Sequence, residues 1–344
     1  MGQGWSSLGG CGGCCITPSL EQVLNFNHDL CDGNNYQGTG AGLGNTGSNV
    51  TASGSYSAIY NVGNNVFANG VNSANSNSGS YVNAIGSKSA NSNLGSYVNA
   101  IGTESAYCNT GNHVTASGYR SAYFNTANQV NAFGCNSAFS NSGSYVNAFG
   151  TNSARYNTGN QVNAIGEQSA KCNTGCKVNT FGTLSAYTNS GYYVNAIGEN
   201  SATSNSGNYV NSLGGSSAYS NAGCFVNAIG NYSALHNTGN FVNAIGTSSA
   251  RCNTGSCVNA FGYFSAYCNT ASCVVAIGTC AGYDSALSTS NALKQSFIVS
   301  NVELPKYLNF ATASTVITVL NGAVAGSTYF YYDQTTNSIG AVRL

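Results

Sequence analysis

Charge is what this chain most lacks. Of 344 residues only nine are basic and nine acidic, and the formal net charge is zero. That leaves no electrostatic footprint for nucleic acid or for an anionic membrane surface. Titratable groups are equally scarce: His28, His113 and His236 are the only histidines, and Asp29, Asp32, Asp284 and Asp333 the only aspartates. Little acid–base equipment is therefore at hand. No run of about 18 apolar residues exists, so no transmembrane helix is expected. The opening stretch, MGQGWSSLGGCGGCC, lacks a basic n-region and an apolar h-region, so no secretory signal is expected either. Targeting thus assigns no oxidising compartment to the fourteen cysteines.

Glycine, asparagine and serine are abundant instead, a composition that alone would suggest disorder. A strict period argues otherwise. Every sixteenth residue from Gly38 to Gly278 is glycine, and every sixteenth from Val50 to Val274 is valine. Asparagine holds its place from Asn45 to Asn269, and a Ser-Ala pair recurs from Ser57-Ala58 to Ser265-Ala266. Short-period self-similarity of this kind marks a solenoid, whose single coil cannot bury its own apolar face. The position before valine varies among Tyr81, His113, Gln129, Lys177 and Phe225. Variable columns read as solvated, and constant columns as interior.

Val-Asn-Ala-Ile-Gly is a short strand by β-branching and by its bounding glycines. Val82 and Ala84 share one face, Asn83 and Ile85 the other. The Ile85 column keeps Ile101, Phe133, Phe149, Leu213 and Phe261. A single-chain solenoid needs only one buried face, and soluble monomers avoid long exposed apolar stripes. Restriction of both faces predicts packing against sister chains, as a homotrimer. Asparagine columns predict side-chain ladders between in-register coils. The Asn77 position is also expected to adopt positive φ. Coils about 4.8 Å apart give a rod on the order of 70 Å long.

The phrase VNAIG followed by Ser-Ala resembles the head repeat of trimeric autotransporter adhesins, over about residues 38–282. That resemblance implies a left-handed parallel β-roll assembled as a trimer. Asparagine stands where that family has valine, and the coil is two residues longer. With neither a signal peptide nor a membrane β-barrel anchor expected, the chain is not read as an autotransporter. It more closely resembles fibre proteins of large DNA viruses and phage tail fibres, on Pro18–Leu24, the N-T-G…V-N-A-x-G coils, Ser296–Val299 and Tyr331–Thr336. This implies a virion-surface fibre or extracellular appendage, assembled first in the cytoplasm. It also implies an N-terminal anchor on the virion or cell surface and a distal tip that meets a host receptor or glycan.

The fold class expected is all-β: a parallel β-solenoid of 16-residue coils over residues 38–282. A Gly/Cys-rich leader with a short helical cap (1–37) precedes it, and a small β tip (283–344) follows. The helix is expected from Pro18 with Leu20, Val23 and Leu24 at helical spacing. Met1–Ser6 fits the myristoylation pattern at Gly2, and Cys11, Cys14 and Cys15 are candidate second acylation sites. The alternative is a flexible leader that matches a loose pattern. With Cys31 these thiols form only one close ligand pair, so crosslinks at a fibre base are favoured over zinc. In the tip, Ser314–Leu320 and Thr328–Tyr332 read as strands. There Tyr307, Tyr329, Phe330, Tyr331 and Tyr332 are candidate receptor contacts or simply core.

Cys252 and Cys268 lie sixteen residues apart, as do Cys257 and Cys273, so each pair stacks either as a disulfide staple or as a ladder of thiols. Asn49-Val-Thr51 and Asn231-Tyr-Ser233 are glycosylation sequons. No catalytic, cofactor or metal residues are assigned. A non-enzymatic adhesive fibre is the leading reading. A solenoid polysaccharide-degrading enzyme would need clustered charges, whereas Glu104, Glu167 and Glu199 stand in otherwise neutral coils. An ice-binding or glycan-binding solenoid is the alternative, the former on the column Thr110, Thr126, Ser142, Thr158, Thr174.

Overall fold

The computed structural model describes residues 32–282 and, outside them, the backbone of strands Asn27–Asp29, Ser296–Val299, Thr328–Asp333 and Ser338–Arg343. The chain forms two compact units, Met1–Tyr156 and Asn157–Leu344. The first holds β1 (Asn27–Asp29), β2 (Asn34–Gln37) and then a strand every sixteen residues from β3 (Val50–Ser53) to β9 (Val146–Phe149). The second continues the period from β10 (Val162–Ile165) to β17 (Val274–Ile277), followed by β18 (Ser296–Val299), β19 (Thr328–Asp333) and β20 (Ser338–Arg343). Within each unit the periodic strands pair parallel and in register, Val82 on Val98 and Ile85 on Ile101, Val226 on Val242 and Ile229 on Ile245. Both units are thus parallel β-solenoids, and no helix occurs among the described residues.

The core is thin and made of small side chains. Val82 and Ala84 point inward at 2% and 0% exposure, while Asn83 and Ile85 on the other pleat face stay partly exposed. Facing them across the coil, Ser89 and Ala90 are fully buried. Ser89 is constant because it is a buried donor: its Oγ donates to the carbonyl of Ala100 at 2.7 Å, eleven residues on. A buried hydroxyl without a partner would cost about 1–3 kcal/mol. Where Ala84 is replaced by Ser212, Ser201 Oγ donates to its hydroxyl at 2.7 Å and the pairing survives. The Asn77 column completes the interior. Asn77 Nδ2 donates to Asn61 Oδ1 at 2.7 Å and to Gly79 O at 2.8 Å, and Asn93 repeats this one coil on. The expected asparagine ladder is therefore present.

Its backbone differs from expectation. Asn77 does not adopt positive φ. Those values fall on Tyr81, Lys88, Ala90 and Ser92 (φ 58°, 55°, 48° and 54°), and the same columns repeat them in both units. An L-residue there costs roughly 1–2 kcal/mol. Alternation supplies the compensation: Lys88 and Ser92 donate their N–H groups to the preceding coil (Val71 O, 2.8 Å; Asn75 O, 2.7 Å), and Ala90 to the following one (Ser105 O, 2.8 Å). The segment after the strand thus bonds to both neighbours as a strand does.

The first coil is closed by a device absent from every other coil. Tyr36 stands in the alanine column and is 6% exposed. Its ring fits because Gly42 replaces the opposing alanine; a Cβ there would lie 2.5 Å from the ring. Its hydroxyl takes a hydrogen bond from Asn45 Nδ2 at 2.5 Å, which terminates the asparagine ladder. The expected helix over 18–24 lies outside the described residues; what pairs with β2 is the antiparallel strand β1. At the other end β18 adds to β17 in parallel, Val274 on Ser296. Strands β19 and β20 form an antiparallel hairpin, the first covering the expected strand at 328–332. Ser314–Leu320 lies outside the described residues.

Candidate functional site

The interior asparagines and the Ser89-type serines are occupied by hydrogen bonds within and between coils, so chemistry directed outward rests on the surface columns. Three run side by side on the outer side of the strand. The middle one is asparagine, and in the second unit it is an unbroken amide ladder from Asn163 to Asn259. There Asn179 Nδ2 donates to Asn195 Oδ1 at 3.0 Å, and Asn211 Nδ2 to Asn227 Oδ1 at 2.9 Å. Beside it stands an apolar file in which Ile197, Leu213 and Ile229 are 48%, 47% and 40% exposed. In the single chain this stripe is uncovered. In the first unit the file is interrupted by Ser53, Asn69 and Ser117, and Phe67 and Asn69 exchange the two roles. Neither column contains a charged residue.

The third column precedes valine and carries rings at αL positions. Tyr81, Tyr97 and His113 stack with centroids 4.9 and 4.8 Å apart, and Tyr193, Tyr209, Phe225 and Phe241 continue the pattern in the second unit at 4.8–4.9 Å. Lys177 Nζ lies 4.3 Å from the Tyr193 ring centroid. On another corner Tyr107, Tyr123 and Phe139 stack, with the Arg155 guanidinium 5.1 Å from the Phe139 ring.

One column went unrecognised in the sequence. At the Ser80 position the side chain accepts the N–H of the residue one coil earlier. Ser96 N donates to Asn112 Oδ1 at 2.8 Å, and Asn208 N donates to Cys224 Sγ at 3.4 Å. Restriction to Ser, Asn and Cys in most coils was the available signal. The charges are also less scattered than their spacing suggests. Glu104 sits between Lys88 (3.7 Å) and Arg120 (2.6 Å), one coil away on either side, and the hydrogen bond to Glu104 raises the affinity of Arg120 for its proton. This ties three coils together and leaves Glu104 committed. Burial pushes the Cys108 thiol up, against hydrogen bonds from Ser92 and Tyr107, which disfavours the nucleophilic thiolate. Among the described residues no group of three or more His, Cys, Asp or Glu is placed to hold a metal ion.

Cys252, Cys257 and Cys273 are unbridged thiols. Side chains of one column point the same way, so their Cβ atoms stand about one coil repeat apart, roughly 4.8 Å. A disulfide wants about 3.5–4.5 Å between Cβ atoms. Alkylation without reductant, followed by mass mapping, is therefore expected to label Cys252, Cys257, Cys268 and Cys273 together; a recovered Cys252–Cys268 or Cys257–Cys273 peptide would contradict it. Asn49 and Asn231 are both exposed, though the Ser233 hydroxyl of the second sequon is buried against Ala244 O at 2.7 Å. The threonine file Thr110, Thr126, Ser142 and Thr158, Thr174 is exposed in each unit, but it is a single file broken by Leu94 and Ala222. Gly2, Cys11, Cys14, Cys15, Cys31 and Tyr307 lie outside the described residues, as do the side chains of Tyr329, Phe330, Tyr331 and Tyr332.

No family model matches the chain, and no curated protein or solved structure matches it.

Proposed function

We propose that this chain is a structural, non-catalytic fibre subunit that assembles with two further copies into a left-handed trimeric β-roll. It works on a virion or cell surface by reach and contact. Its N-terminal region serves as the base and its C-terminal region as the attachment tip. The observation that carries the reading is the outer strand face of the second unit. An uncharged, in-register file of Ile, Phe and Leu runs there from Ile165 to Ile277 beside an amide ladder. Apolar burial favours association by roughly 25 cal/mol per Å², and charge, the usual device against edge or face pairing, is absent from it. Commitment of the interior asparagines and serines to hydrogen bonds within and between coils supports a scaffold rather than an enzyme.

Light scattering with negative-stain imaging tests this. The expected result is a uniform rod with three times the mass of one chain. Ile197→Lys combined with Ile229→Lys is expected to give monomers with an unchanged far-UV spectrum, since both side chains face outward. A wild-type protein that is a monomer would overturn the assembly.

A further inference from the structure

The ring column of the first unit breaks at one place, and a groove lies there. His113 has a ring stacked on its Tyr97 side only, and the next position is Gln129. Tyr145 follows one coil later, with 57% of its surface exposed. Two ring faces that no other ring covers therefore stand two coils apart, with an exposed glutamine between them. The groove over these coils holds about 520 Å³ and is lined by this column and by the acceptor column beside it.

The acceptor column supplies donors. Asn112 Oδ1 takes the N–H of Ser96 and Asn128 Oδ1 the N–H of Asn112, each at 2.8 Å. A backbone N–H can only face the amide oxygen, so each Nδ2 is left as a donor with no protein partner among the described residues, on an exposed side chain and one coil from the next. Exposed amide donors, their oxygens held by the backbone, next to ring faces that no other ring covers and with no charged side chain among them, suit a ligand that is flat, apolar on one face and rich in neutral oxygen acceptors. A pyranose has all three properties. An extended peptide fits less well, because its side chains on one face recur at roughly 6.7 Å rather than at the coil repeat. In the coil that carries His113, Ser117 replaces the apolar residue of the outer file and Thr115 the asparagine beside it, so the association stripe is interrupted beside the groove.

We propose that this groove binds a neutral oligosaccharide, with one sugar ring seated between His113 and Tyr145 and its oxygens taking hydrogen bonds from Asn112 and Asn128. Gln129 swings aside to admit it. The site lies within the first unit and is complete within one chain.

Calorimetric titration of the full chain with chitotetraose, cellotetraose and mannotetraose tests it. At least one of the three is expected to saturate. Tyr145→Ala should weaken that binding by about ten-fold or more, equivalent to about 1.4 kcal/mol, and Tyr145→Phe should retain it. Asn112→Asp with Asn128→Asp keeps both acceptors for the backbone and removes both donors, so the coils stay capped while affinity falls by a similar factor. Tyr209→Ala, in the unbroken ring column of the second unit, should leave binding unchanged. Absence of saturation with all three sugars would overturn the proposal, as would wild-type affinity in the Asp variants or equal loss in Tyr209→Ala. The same titration on the Ile197→Lys, Ile229→Lys chain separates its failure from failure of the assembly.

Discussion

Replacement of Gly182 by alanine is expected to melt the second unit at a far lower temperature than any surface change. Gly182 holds φ 138°, and a Cβ placed there would lie 2.6 Å from the carbonyl oxygen of Gly198 and 2.7 Å from its carbon. Two penalties add. The backbone conformation costs an L-residue about 1–3 kcal/mol. Overpacking against backbone, which cannot turn away as a side chain can, costs a further 1–3 kcal/mol or so. Gly215 provides the internal control. Its φ is not positive, and a Cβ there would meet only the side chain of Asn231, at 2.9 Å. Gly215→Ala should therefore melt close to wild type. Circular dichroism melts of the two variants, with limited proteolysis to locate new cleavage, decide the matter; equal melting temperatures would refute the role assigned to the Gly182 column.

The second large effect is expected at the buried amide ladder. Asn205 Nδ2 donates to Asn189 Oδ1 at 2.9 Å and to Gly207 O at 2.8 Å, and its Oδ1 accepts from Asn221 Nδ2 at 2.8 Å. Asn205→Leu has a tolerable volume but strands all three partners away from water. At about 1–3 kcal/mol for each stranded group the loss is roughly 3–9 kcal/mol. Asn211→Leu, in the exposed ladder, breaks comparable bonds to Asn195 and Asn227, yet water replaces them and the change should stay below about 1 kcal/mol. Because a coil touches only its neighbours, local hydrogen exchange is the suitable measurement. Asn205→Leu should collapse amide protection from about Asn189 to Asn221, and Asn211→Leu should not. Equal protection in both variants would mean that the buried ladder contributes little.

Much of the coil could be read from sequence because its periodicities have simple causes. Alternation placed Val82 and Ala84 inside, the constancy of Asn77 announced its ladder, and the variability at Tyr81 announced exposure. What could not be read has equally physical reasons. Positive φ at Lys88, Ala90 and Ser92 is signalled only by Gly40, Gly42 and Gly44 in the first coil and by scattered asparagines in the Lys88 column, since in the other coils neighbouring coils rather than local preference impose it. Tyr36 breaks the alanine column, and its fit depends on Gly42, a pairing visible only across the coil. Strand β18 begins twenty-two residues after β17 begins, off the period, so no column leads to it. Glu104 looked solitary because its partners lie a full coil away. At the candidate groove the rings were visible as members of a variable column, but the holding of the Asn112 and Asn128 amide oxygens depends on backbone N–H groups one coil earlier.

The amide ladder also limits how the gene can change. Deleting or inserting one residue within a coil would break the register between that coil and its neighbours, moving its asparagine out of the interior or its glycine out of its close approach. A whole coil of sixteen can be added or lost with every bond re-formed, because each coil presents the same donors upward and the same acceptors downward. Length in such a protein is inherited in steps of one cassette, and the surface letters, which take no part in the ladder, are left open to drift between one duplication and the next.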